Sequence, residues 1–241
     1  MIDIHAHVLP GIDDGAKDMD EALTLLDLAA QDGVTRMVVT PHLHLGRFDN
    51  FKGNISPVFE ELKRCAQLAC IDIELAYSAE VRLDSDIIAL LAKNELPLYG
   101  EYEGKQFMLL ELPHSHIPPG CDMLVKYLKS VNITPVIAHP ERNRDLLRDP
   151  KKINPLVRLG CWFQLTASSI EGKFGADCQA LALHYLERDI IQIVASDTHS
   201  VKRRPPQLSH AKAIVAKEFG DARAKALFID NPYNITATLF S

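Results

Sequence analysis

The chain has 241 residues, 47% hydrophobic and 24% charged, an ordinary globular composition that can bury a sizeable core without disulfides or a structural metal. Its 26 Lys and Arg against 32 Asp and Glu leave a net charge of −6 with no basic tract, which excludes a mainly electrostatic nucleic-acid binder. The best apolar run, Ile87 to Ala92, is six residues long, far short of the roughly 20 that membrane insertion needs. Residues 1–5 do not read as a secretory leader. The five cysteines are odd in number and in no zinc spacing, so they predict free thiols in a reducing, cytoplasmic setting.

In chain order, Ile2 to His5 predicts a strand. Asp18 to Gln31 predicts a helix, with Leu23, Leu26 and Ala30 on one face and Gly33 as its stop. Arg36 to Thr40 is the next strand, Pro57 to Cys70 a helix and Ile71 to Ser78 a strand. A short helix over 85–93 leads to a strand over 106–112. A helix follows, carrying Cys121, Leu124, Leu128 and Val131 on one face. Strands over 133–138 and 161–165, a helix over 177–188, a strand over 190–195 and helical chain over 207–228 complete the pattern. Seven strands alternating with helices predict an α/β fold with a parallel sheet. The reading is one domain, 1–241, built as a distorted TIM-like (β/α)7 barrel, with an open doubly wound sheet as the alternative. Neither G-x-G-x-x-G nor the P-loop pattern occurs, so the usual nucleotide-binding forms of that open sheet lose weight.

The chemically useful residues fall at the strand ends: His5 and His7, His42 and His44, Glu80, Glu111, His139 to Arg142, and Asp197 to His199. In a parallel barrel all C-terminal strand ends share one face, where active sites are built. In extended chain His5 and His7 lie on the same side and can reach one ion. Six of seven apolar strands ending in His, Asp or Glu are hard to explain as core packing and predict a multinuclear metal centre. Imidazole plus carboxylate without thiolate suits manganese, iron or zinc. Glu80 can bridge two ions, and ions about 3.5–4 Å apart can hold a hydroxide aimed at phosphorus. Three divalent ions would outweigh the four acids Asp14, Glu80, Glu111 and Asp197, leaving the mouth positive on an acidic chain.

The opening Asp3 to Ala16 block resembles that of the bacterial capsule-type (CpsB/CapC-like) tyrosine phosphatases, a branch of the polymerase-and-histidinol-phosphatase (PHP) superfamily. Thr40-Pro41-His42, Glu80, Glu111, the Ala138 to Arg142 block, Gln164 to Ser169, Ser196 to His199, Arg204-Pro205 and Asn231-Pro232 follow in the same order. The resemblance runs nearly end to end. It implies a PHP barrel with three metals, usually manganese. His5, His7, Glu80 and Asp197 would hold one, Glu80, Glu111 and His139 a second, and Asp14, His42 and His199 a third. Arg142 and Arg204 would hold phosphoryl oxygens, a task that suits the guanidinium fork. The implied reaction is hydrolysis of phosphotyrosine by a metal-bridging hydroxide. The implied partner is the tyrosine-rich tail of a bacterial tyrosine autokinase of capsule or exopolysaccharide synthesis.

Two rivals share much of this chemistry: a PHP phosphoesterase acting on a small monoester such as histidinol phosphate, and a non-catalytic metal-dependent kinase-binding protein. An amidohydrolase-type barrel would typically carry a mid-barrel lysine carboxylate, and no strand end here has Lys. Thiolate catalysis is disfavoured, because no cysteine has an arginine six residues on. His44 is a general-acid candidate by proximity alone, His114 and His116 read as loop histidines, and Trp162 and Phe163 read as barrel packing.

Overall fold

The computed structural model describes Met1–Phe240. Ten strands occur among these residues: β1 (Ile2–Ala6), β2 (Arg36–Val39), β3 (His42–Leu43), β4 (Glu74–Tyr77), β5 (Glu80–Arg82), β6 (Glu101–Tyr102), β7 (Lys105–Glu111), β8 (Ile133–Ala138), β9 (Trp162–Thr166) and β10 (Ile193–Ala195). They fill seven parallel positions, because β2 and β3 are one interrupted strand and β4 and β5 another. β1, β2 and β4 form one parallel run, and β3, β5, β7, β8, β9 and β10 form a second. The breaks are bridged by backbone hydrogen bonds from Ser78 N to Val39 O (2.9 Å) and Glu80 N to Pro41 O (3.0 Å). The chain beyond β10 returns to β1: Asp197 N donates to His5 O at 2.8 Å and His7 N to Thr198 O at 2.9 Å. β6 is an antiparallel appendage on β7.

The seven strand positions are those expected; β8 has the expected bounds, β1 runs one residue longer, β7 and β9 shift by one residue, and β10 starts only at Ile193. Helices α1 (Met19–Gln31), α2 (Lys52–Leu68), α3 (Ile87–Ala92) and α4 (Cys121–Ser130) follow in order. The helix expected from Pro57 begins at Lys52 instead. Pro57 sits in its second turn, where its missing N–H leaves one early helix carbonyl, that of Gly53, without its helical donor. Between β8 and β9 lie two short helices, α5 (Arg144–Arg148) and α6 (Asn154–Arg158), and after β9 comes α7 (Ala167–Ile170). None of these has enough turns to show a periodicity in sequence. α8 (Ala176–Glu187), α9 (Ser209–Phe219), α10 (Asp221–Lys225), a π turn over Ala226–Asp230 and α11 (Asn231–Thr236) complete the fold.

The core has two shells. The inner one gathers Ile2, Ile4, Val38, Ala76, Phe107, Leu109, Val136, Ala138 and Ile193 inside the ring, with Tyr99 and Ile235 beside them. The outer shell packs the other strand faces against the helices. Phe163 is buried in the outer shell, and Trp162 meets Phe107 edge-on at 4.9 Å, so both pack the barrel.

The inner shell explains how polar residues reach the mouth. Val38, Thr40 and His42 alternate along one strand, Ala76, Ser78 and Glu80 along the next, and Phe107, Leu109 and Glu111 along β7. β1 would fail this rule, since strict alternation from Ile2 and Ile4 turns His5 outward. A bulge corrects it. The β1–β2 register shifts between Asp3 and Ala6, so Ile4 belongs to the inner shell and Ala6 to the outer one. His5 and His7 therefore rise on the inner face above Ile4.

Candidate metal centre

The nine metal-ligand candidates from the sequence meet at one rim. Four groups of mutually close donor atoms form there: His7, Asp14, His42 and His199; His5, His7 and Glu80; His5, His139 and Asp197; and His42, Glu80 and Glu111. Within each group the donor atoms lie within 4.8 Å of one another. The nine residues so grouped are the nine nominated from the sequence. The partition differs from the one the resemblance implies, since His139 falls with His5 and Asp197, and Glu111 with His42.

The His5, His7 and Glu80 group, with Asp197 beside it, tests for a cation directly. His5 Nδ1 faces Gln164 Oε1 at 2.8 Å, and the Gln164 amide donates to Leu165 O at 2.7 Å, which fixes its orientation. His7 Nδ1 faces Asp13 Oδ2 at 2.8 Å. In the neutral form that a metal ligand must take, both Nδ1 atoms therefore carry the proton, and both Nε2 atoms present lone pairs. Those lone pairs face each other at 3.1 Å. Glu80 Oε2 lies 3.3 Å from each, and Asp197 Oδ1 3.4 Å from each. Four acceptors thus converge with no donor between them, and Glu80 Oε2 is buried without a hydrogen bond. Ligands about 2.1 Å from a metal stand about 3.0–3.4 Å apart in octahedral or tetrahedral arrangement. The spacing fits a divalent ion.

Glu80 is shared around the site: Oε2 also lies 2.8 Å from His42 Nδ1, and Oε1 lies 2.8 Å from His139 Nε2. Asp14 Oδ1 lies 3.3 Å from His42 Nε2 and 3.4 Å from His199 Nε2. The His199 Nδ1 bonds the Asp197 carbonyl at 3.0 Å, which again leaves Nε2 free for a cation. Arg82 holds Glu111 Oε2 at 2.9 Å. His114 Nε2 is 3.9 Å from the other Glu111 oxygen, while His116 pairs with Ser115.

Charge and burial set the proton inventory of the ion-free chain. Burial raises the Glu80 carboxyl, but His5, His42 and His139 outweigh it and hold it well below its ordinary value. Burial also opposes ionisation of Asp197, and His5, Arg142 and Arg204 overcome it. Burial, then Arg142, pushes His139 down to about 3. Burial, then His7, takes His199 to about 4. Burial and His7 act to lower His42, yet Glu80 and Asp14 bring it up to about 9. Burial also works against a charge on His7, but Asp13, Asp197 and Glu80 hold it well above its ordinary value. A metal entering the site competes with protons on these two imidazoles.

Asp13 and Gln164 escaped the sequence reading as functional residues. Asp13 lies in the matched opening block, but nothing in its spacing separates it from Asp14. In the structure it takes the His7 Nδ1–H and the His42 backbone N–H (3.0 Å) on one oxygen and the Gly15 N–H (2.9 Å) on the other. Gly15 is needed there, since a Cβ would stand 2.1 Å from His7 O. Asp13→Ala is expected to leave every direct donor in place and weaken metal binding about 10–100-fold, as read by titration against a chelator. Unchanged affinity would remove Asp13 from the support of the site.

Two of the grouped donor residues use left-handed backbone: His139 at φ +35° and Asp197 at φ +52°. His139 follows the inner-shell residue Ala138 directly, one step out of alternation, and this conformation turns its ring into the mouth. Asp197 divides its carboxylate. Oδ1 faces the imidazoles, and Oδ2 accepts from Arg142 Nη1 and forms an ion pair with Arg204 Nη2. Arg204 is brought back by the loop 198–204, where Thr198 Oγ donates to Arg204 O at 2.7 Å. Both guanidinium groups, His44 and His114 line a cavity of about 170 Å³ over the acidic residues. Burial pushes the Cys121 thiol up to about 11 and Cys161 to about 12, and no cysteine lines that cavity.

A parallel barrel carrying imidazoles and carboxylates in metal-ligating groups at its mouth is built as a TIM-like metallohydrolase. The chain belongs to the capsular polysaccharide synthesis family CpsB/CapC, whose model matches residues 1–237. Tyrosine-protein phosphatase CpsB of Streptococcus pneumoniae is 33% identical over 244 residues, covering 98% of each chain. The solved structures of YwqE from Bacillus subtilis and CpsB from Streptococcus pneumoniae are described as metal-dependent tyrosine phosphatases. The match to them has a TM-score of 0.92 at 31% identity, over 98% of this chain and 94% of that one. The lactonase Lmo2620 from Listeria monocytogenes, at 14% identity and a TM-score of 0.53 over 97% of this chain and 93% of its own, shares the fold. Among the described residues no helix is long and apolar enough to cross a membrane.

Proposed function

We propose that the protein is a metal-dependent protein-tyrosine phosphatase acting on the phosphorylated tail of a bacterial tyrosine autokinase of capsule or exopolysaccharide synthesis, in the cytoplasm. The observation that carries this reading is the divided Asp197 carboxylate, which seats two arginines beside a set of donor atoms spaced for a divalent ion. Membership of a family that includes tyrosine phosphatases of about one-third identity supports it. The chain 1–241 acts as one unit.

Three divalent ions, with manganese preferred, complete the site. As the resemblance implies, His5, His7, Glu80 and Asp197 would hold one, Glu80, Glu111 and His139 a second, and Asp14, His42 and His199 the third, a partition that departs from the donor grouping at His139 and Glu111. When bound, such ions supply Lewis acidity and bring the pKa of a water near neutrality. The chain does the rest. Arg142 and Arg204 offer N–H pairs to the non-bridging phosphoryl oxygens and offset their charge as the phosphoryl group passes to water. Gln164 and Asp13 keep the His5 and His7 lone pairs aimed inward. A phenol with pKa of about 10 leaves with less acid assistance than an alkyl alcohol needs.

Chelator-treated protein is expected to lose turnover of a phosphotyrosine peptide and regain it with manganese. Its rate on histidinol phosphate should stay at least about tenfold lower under equal conditions. Greater activity on histidinol phosphate would replace the substrate assignment. Full activity after complete metal removal would end the metal mechanism.

A further inference from the structure

Arg142 is held by more than Asp197. Its guanidinium carbon lies 5.2 Å from the ring centroid of Phe174, within reach of a cation–π interaction. Phe174 does not line the mouth cavity, whereas Arg142 does. Phe174 stands on the turn between α7 and α8, in Gly172-Lys173-Phe174-Gly175. Gly172 (φ +79°) and Gly175 (φ +94°) give that turn its left-handed corners.

The turn is pinned on several sides. Lys173 N donates to Ser168 O at 2.9 Å, and Gly175 N to Gly172 O at 3.1 Å. The Lys173 ammonium lies 2.5 Å from Glu171 Oε2 and donates to Gln207 Oε1 at 3.2 Å, three residues beyond Arg204. A charged side chain needs its orientation fixed if its fork is to meet a phosphoryl group. For Arg142, one end of the fork is tied to Asp197, its carbon lies over the ring, and the side chain also lines the cavity.

We infer that Phe174 is a positioning residue for Arg142: its ring sets the plane of the guanidinium, so that the phosphoryl group meets a fork already aligned. The inference rests on the proposed role of Arg142 in holding phosphoryl oxygens. A Leu at 174 keeps an apolar side chain but loses the ring face, whereas a Tyr keeps it.

The test is competitive inhibition by inorganic phosphate in the manganese-loaded protein, with metal content and melting temperature measured alongside. Phe174→Leu is expected to weaken phosphate binding roughly fivefold, within the range that a partly buried cation–π contact supports. Metal content should stay unchanged, and Phe174→Tyr should lie within about twofold of wild type. In an Arg142→Ala background, Phe174→Leu should add nothing further, because the ring would have no guanidinium to set. Equal losses in the Leu and Tyr variants, no loss in Leu, or a further loss in the Arg142→Ala background would each overturn the inference. Direct phosphate titration of each variant by calorimetry reads the same quantity without turnover. If Arg142→Ala alone leaves phosphate affinity intact, it is the role of Arg142 that fails, and the inference falls with it. A loss in Arg142→Ala with none in Phe174→Leu refutes the inference alone.

Discussion

Arg142→Ala is expected to retain its bound metal and to lose roughly 10²–10³ in kcat/KM on a phosphotyrosine peptide, whereas His139→Ala loses metal and rate together. The two residues are three apart in sequence and both face Asp197 and Glu80, so proximity alone does not separate them. Their chemistry does. His139 Nε2 lies 2.8 Å from Glu80 Oε1 and offers a lone pair to a cation. Arg142 offers only N–H donors and is tied to the Asp197 oxygen that faces away from the imidazoles. Removing it leaves all nine grouped donors in place. Metal analysis of the purified variants beside steady-state rates distinguishes the outcomes. Full rate in Arg142→Ala, or full metal and rate in His139→Ala, would contradict the site.

Asp3→Ala should cost the fold about 3 kcal/mol, or roughly 6–12 °C in Tm. Asp3 is fully buried below His5 and joins the first strand to the last. Its Oδ1 accepts from Ser196 N at 3.1 Å and His5 N at 3.3 Å, and its Oδ2 from Ser196 Oγ at 2.5 Å. Ser196 Oγ in turn accepts from Thr198 N at 3.1 Å. Truncation strands these donors in a dry seam. Asp3→Asn keeps the acceptor for both backbone N–H groups and should lose less than half as much. Burial pushes the Asp3 carboxyl up, and hydrogen bonds from Ser196 and His5 offset that only in part. The native chain thus holds this proton more tightly than the unfolded chain. Wild-type stability should therefore be favoured in acid relative to Asp3→Asn, and that advantage should shrink as pH rises through the raised value. Denaturant titration at several pH values checks both the order and the slope. Asp3→Asn as damaging as Asp3→Ala would show that hydrogen-bond geometry is not what Asp3 supplies.

The strand order was readable because parallel strands buried on both faces must be apolar runs, and Met37-Val38-Val39 or Ile190 to Val194 have few other uses. The strand-end donors were readable because each breaks such a run at its finish. Local twists of backbone were not. Ile-Asp-Ile-His-Ala-His alternates cleanly, and nothing in it announces the bulge that moves His5 to the inner face. Ala138-His139 gives no sign that His139 adopts φ +35° and turns inward. The helix start at Lys52 was hidden by Pro57, which reads as a first-turn residue but sits in the second turn here. Gln164 read as one polar position in a strand, and its value lies in meeting His5 across 159 residues. Phe174 lies outside every element expected from the sequence. Its ring acquires meaning only where the fold sets it against Arg142.

The left-handed backbone at His139 and Asp197 sets tolerance to heat against usefulness. Each position costs of order 1–3 kcal/mol as a non-glycine residue; at 139 a glycine would shed that cost together with a donor, whereas at 197 it would also strand the guanidinium groups of Arg142 and Arg204. Selection for heat resistance in the presence of a chelator should therefore enrich glycine at 139, not at 197, and harvest inert protein. The same selection run with manganese supplied should forbid the change at 139, because ion binding then repays the twisted main chain.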